Sequence, residues 1–107
     1  MTANRQNDLI KALSKELFHL LGDQLDRILL YGSYARGEAT PSSDLDILVV
    51  VKEPFSYPAL LRQTSELVAR LSLENDIAIS RAFITRDRFE NENSPFTLNV
   101  RREGITI

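Results

Sequence analysis

There is no cysteine among the 107 residues, which excludes disulfides and thiol catalysis and suits a reducing compartment. Long apolar runs are also missing. None approaches the length needed to span a bilayer, and Met1 to Leu20 lacks the charged-then-apolar layout of a signal peptide. A cytoplasmic protein is the expectation. Nor is there an excess of positive charge: thirteen Lys and Arg against fifteen Asp and Glu leave a formal net charge of −2. The molecule as a whole therefore exerts no broad pull on a nucleic-acid backbone, and long RNA or DNA is not the expected ligand. Arg81, Arg86, Arg88, Arg101 and Arg102 could form a local positive patch, but most of them read as solvated surface charges. The single histidine, His19, lies between Phe18 and Leu20, one position off an apolar helical stripe, and reads as a surface or boundary residue.

What is present is ordinary for a globular chain: 43% hydrophobic and 26% charged residues, in a length that predicts one domain over residues 1–107. Leu9, Ile10, Leu13, Leu17, Leu20 and Leu21 recur at helical spacing and predict a helix from about Gln6 to Leu21, ended by Gly22-Asp23. Leu25 to Tyr31 reads as a strand. Asp44 to Lys52 reads as a second, apolar on both faces beyond its acids and therefore central in a sheet. Ser56 and Pro58 predict the start of a helix reaching about Leu73, and Asp76 opens a third strand over Ile77 to Thr85. On that strand Asp76, Ala78, Ser80 and Ala82 share one face, whose small side chains leave room beside a site. A short helix around Phe89 and a last one from Ser94-Pro95 to Gly104 follow, leaving Ile105 and Ile107 as an apolar tail that packs on the domain or on a partner. The expected fold is a small α/β domain with a mixed or antiparallel sheet and helices packed on it.

The chain is organised around the stretch between the first two strands. Gly32 has no Cβ, so backbone N–H groups there can approach an anion closely, and Ser33 adds a hydroxyl donor. If Tyr34 to Arg36 begin a helical turn, the unpaired N–H groups at its start face the same anion, and Gly37 stops the turn. Asp44 and Asp46 project from one face of the second strand, with Leu45 on the other. Adjacent carboxylates repel unless a cation sits between them. With no Cys and one His, hard oxygen ligands suit Mg²⁺ or Mn²⁺ better than zinc, and Mg²⁺ commonly shares its coordination between carboxylates and substrate phosphates. The combination predicts a metal–nucleotide site.

Gly32-Ser33, ten residues, then Asp44-Leu45-Asp46, with Ala35-Arg36-Gly37 and Ser43 in the gap, resembles the signature of the polymerase-beta-like nucleotidyltransferases. More narrowly, the chain resembles the minimal nucleotidyltransferase antitoxins paired with HEPN-domain ribonuclease toxins, a likeness that extends to the Pro95-Phe96 to Arg102-Glu103-Gly104 ending. The resemblance implies that Gly32, Ser33 and Ser43 serve nucleotide binding, with Arg36 either a phosphate contact or a surface residue. It implies that Asp44 and Asp46 hold metal ions, Mg²⁺ or Mn²⁺ and two in number, and that a third carboxylate comes from the third strand. Asp76 matches that position, with Glu74 as the fallback. The implied reaction is transfer of AMP from ATP onto a tyrosine of the HEPN toxin, which blocks its ribonuclease activity within a complex. Neutralisation by binding alone and modification of a small-molecule hydroxyl stand as alternatives, and the short chain, with no residues left over for an acceptor-selecting domain, counts against the second.

Overall fold

The computed structural model describes residues 3–107. Helix α1 (Ala3–Leu21) opens the chain, and its Leu9, Leu13, Leu17 and Leu21 are buried every fourth position, whereas His19 and Leu20 lie exposed beside that stripe. A single 3₁₀ turn, Gly22–Gln24, leads into strand β1 (Leu25–Tyr31). Helix α2 (Gly32–Arg36) follows it with no connecting residue, and strand β2 (Leu45–Val51) returns. Helix α3 (Tyr57–Asn75) starts where the Ser-x-Pro spacing predicts: the Ser56 side chain accepts a hydrogen bond from the Ala59 N–H, and Pro58 stands in the first turn. Strand β3 (Ile79–Thr85) and helix α4 (Arg86–Asn91) come next. Helix α5 (Pro95–Glu103), capped by Ser94 onto the Thr97 N–H, leads to strand β4 (Ile105–Thr106).

The sheet is mixed, in the order β3-β2-β1-β4. β1 and β2 are antiparallel, as are β1 and β4, whereas β2 and β3 run parallel because the long helix α3 carries the chain back to the starting edge between them. β2 is central, and every residue from Ile47 to Val51 is fully buried. Its two faces serve different layers. Leu45, Ile47, Val49 and Val51 join Ile28, Leu30 and Phe83 under α1 and α3, while Leu48 and Val50 join Leu29, Ile84, Phe89 of α4 and Val100 of α5 in a smaller core.

Two sequence expectations change here. The apolar tail is the fourth strand: Leu30 pairs with Ile105, Leu29 with Thr106, and the Ile107 N–H bonds the Ile28 carbonyl at 2.9 Å. Asp76 does not open β3. It closes α3 in the left-handed conformation at φ +50°, which an aspartate tolerates, and its N–H bonds the Ser72 carbonyl. The Ser72 hydroxyl in turn bonds the Ile77 carbonyl, so the chain is still turning at Ile77 and strand pairing begins only at Ile79.

Candidate active site

The geometry is set at Gly32, where β1 becomes α2. Its φ of +73° falls in the left-handed region, and a Cβ built on it would overlap Oδ2 of Asp46. The Asp46 carboxylate thus rests directly on the backbone of the turn. The antiparallel register explains why: Tyr31 is the strand partner of Asp46, so the residue after Tyr31 must pass beneath that side chain. No side chain caps the start of α2, which leaves its first N–H groups to an outside acceptor. Gly37, at φ +71°, ends the helix by donating to the Ser33 and Tyr34 carbonyls.

The loop from Glu38 to Asp44 is held by its own side chains. The Ser43 hydroxyl accepts the Thr40 N–H at 2.8 Å, and the Ser43 N–H bonds the Thr40 carbonyl at 3.0 Å. Ser43 is therefore a turn-former that delivers Asp44 to the start of β2. Asp44 itself is exposed, just ahead of the strand. Burial raises the pKa of Asp46, the neighbouring charge of Asp44 raises it further, and Arg36 offsets part of this. The same face raises the pKa of the Tyr31 hydroxyl, through burial first and the Asp46 charge second. The Asp46 carboxylate on a turn too tight for a side chain, with the repelling charge of Asp44 near it, forms a donor set that fits a hard divalent cation and the phosphates it brings.

Of the remaining predicted site residues, Arg36 stays near enough to Asp46 to act on its charge, whereas Asp76 and Glu74 lie elsewhere. The Arg36 guanidinium bonds Glu38 at 3.1 Å and reaches Glu103 of α5 at 3.7 Å, an ion pair that ties α2 to the last helix. Asp76 sits exposed at the end of α3, in a surface pocket it shares with Tyr34 and Pro41, and Glu74 is exposed on the last turn of the same helix. The structure does not bring either acid to Asp44 and Asp46: among the described residues no group of three His, Cys, Asp or Glu side chains could hold a metal. The parallel register places Ser80 beside Asp46 instead. The small face of β3 that carries Ser80 and Ala82 does lie alongside the site, as the strand alternation predicts. Tyr31 was not singled out by sequence reasoning, although an aromatic residue directly before Gly-Ser was the available signal.

A family model described as a nucleotidyltransferase domain matches residues 10–103. A candidate protein adenylyltransferase of Methanocaldococcus jannaschii is 41% identical over 75 residues, which cover 68% of this chain and 73% of that protein. Among solved structures, a toxin–antitoxin crystal structure with AMP-PNP aligns with a TM-score of 0.58 at 22% identity, over 87% of this chain and 70% of that one. A candidate nucleotidyltransferase from Sulfolobus solfataricus aligns with a TM-score of 0.59 at 15% identity, over 99% of this chain and 87% of that one. At these identities the two structures establish a shared fold.

Proposed function

The chain belongs to the nucleotidyltransferase domain family, and from that premise we propose that it is an antitoxin that transfers AMP from ATP onto a tyrosine hydroxyl of a partner HEPN ribonuclease toxin. The observation that carries the reading is the Asp46 carboxylate seated on the Gly32 turn with Asp44 beside it. The similarity to a candidate protein adenylyltransferase supports a protein acceptor, and the shared fold of a toxin–antitoxin structure with AMP-PNP supports a toxin partner and an adenine nucleotide.

Asp44 and Asp46 would hold Mg²⁺ ions, which when bound neutralise triphosphate charge and stabilise the leaving oxygens. The chain's own part is positioning. The backbone of Gly32, the Ser33 hydroxyl and the open N–H groups at the start of α2 receive the β and γ phosphates. The acceptor oxygen attacks the α-phosphorus, an O–P bond forms, and the bond from the α-phosphorus to the bridging oxygen breaks. Pyrophosphate departs with that electron pair, and the hydroxyl proton is taken up by water. The mixed β2–β3 face, with Ser80 and Ala82 where larger side chains would stand, leaves the acceptor room to approach.

Radiolabelled ATP distinguishes this chemistry from phosphoryl transfer. Label at the α-phosphate is expected on the partner protein and label at the γ-phosphate is not; the reverse pattern would overturn the reading.

A further inference from the structure

We propose that the nucleoside half of the donor sits in a cavity beside the Gly32 turn, between the end of β1 and α5, which reads an adenine-type base by its exocyclic amine and a ring nitrogen. This deepens the nucleotidyl-transfer reading and rests on it. The cavity encloses about 170 Å³ and is lined by Tyr31, Gly32, Arg36, Phe96, Asn99 and Glu103. Gly32 belongs both to this lining and to the turn that carries the Asp46 carboxylate, so a ligand anchored by its phosphates on the turn has its other end at the cavity mouth.

Three features of the wall suit a base. Tyr31 and Phe96 meet edge to face, with ring centroids 5.4 Å apart and planes at 89°, and Phe96 keeps 41% of its surface exposed. A large apolar ring left open at a cavity mouth is a platform that a stacked base would cover. Asn99 and Glu103 stand four residues apart on α5 and therefore on one face. Arg102 bonds the Asn99 side-chain carbonyl at 3.0 Å, which leaves the amide NH₂ as the group available to donate. Glu103, whose carboxylate only accepts, is held by Arg36 at 3.7 Å and by Arg102 at 3.5 Å. One donor and one acceptor side by side complement the N7 and N6 amine of adenine. Inosine, with a carbonyl in place of that amine, would set an acceptor against the Glu103 carboxylate.

The test is equilibrium binding to the full chain in Mg²⁺ by calorimetry, using ATP, ITP and inorganic tripolyphosphate. Wild type is expected to bind ATP more tightly than either of the others. Phe96→Ala and Asn99→Ala each weaken ATP by about tenfold or more while leaving tripolyphosphate unchanged, and Glu103→Gln narrows the gap between ATP and ITP. Both truncated side chains are exposed, so thermal melts of these variants should match wild type. The inference fails if wild type binds ATP no better than tripolyphosphate, or if both truncations leave ATP affinity intact. If wild type binds tripolyphosphate and ATP equally, phosphate anchoring survives and only the base pocket is lost. If it binds neither, the nucleotidyl-transfer reading falls and the pocket with it.

Discussion

At Gly32 a side chain is opposed twice, once by the left-handed backbone and once by the carboxylate above it. Gly32→Ala should therefore cost about 1–2 kcal/mol from conformation alone, measurable as a lower denaturation midpoint. It should also displace Asp46 and reduce transfer by about a hundredfold or more, since small misplacements of reacting groups carry that penalty. Asp46 offers a pH test whose sign is fixed by its raised pKa. The native state holds the Asp46 proton more tightly than the unfolded chain does, so the stability this group confers is present at low pH and lost as pH rises through the carboxylate range. In buffer free of divalent cations, Asp46→Asn should accordingly melt higher than wild type at pH 7, with the difference shrinking below about pH 4. A variant that melts lower at neutral pH would mean that the carboxylate is stabilised where it sits. Its transfer activity should be lost throughout. The meeting of Gly32 and Asp46 was legible because a strand, a turn and a returning strand bring the end of the first beside the start of the second. Asp76 misled because parity along a strand holds only while the chain is a strand, and Asp76 is itself the left-handed cap of α3, three residues before β3 begins.

Among the elements, β2 carries much of the core and one of the two acids of the proposed site. Leu48→Ala, at a fully buried position in the smaller core, should cost about 2–5 kcal/mol through lost burial and a residual cavity, read as a lower midpoint in urea. Helix α5 is the less obvious support of the site. Ser94 caps it, and the buried Thr97 hydroxyl bonds the Glu92 carbonyl at 2.6 Å, fixing where the helix starts and hence where Phe96 meets Tyr31. Ser94→Ala should cost about 1 kcal/mol and weaken nucleotide binding by calorimetry more than an equally destabilising change in α1. Periodicity announced α1, β2 and α3 because their apolar patterns run for several turns or on both faces. Strand β4 escaped because two residues carry no period, and its place was decided by the free edge of β1.

Taken whole, the molecule has a core on each face of its sheet, with the proposed site at the edge of the smaller one. The face under α1 and α3 holds the larger core, and no helix among the described residues is long and apolar enough to cross a membrane. The opposite face has the smaller core, set beneath α4 and α5, and the Asp46 end of β2 beyond it is where the carboxylates emerge. The direction of β3 was left open because nothing in the strand itself states it, although the long helix expected between β2 and β3 is the crossover that a parallel pair needs. The central claim, that Asp46 on the Gly32 turn and Asp44 beside it drive AMP transfer to a protein, is tested most directly by intact-mass spectrometry of the proposed HEPN partner. The partner is incubated with this chain, ATP and Mg²⁺, beside an Asp44→Asn control. Mass gains in whole AMP units that vanish in the control are the predicted result. An unchanged partner mass with wild type, or equal gains with Asp44→Asn, would contradict the account.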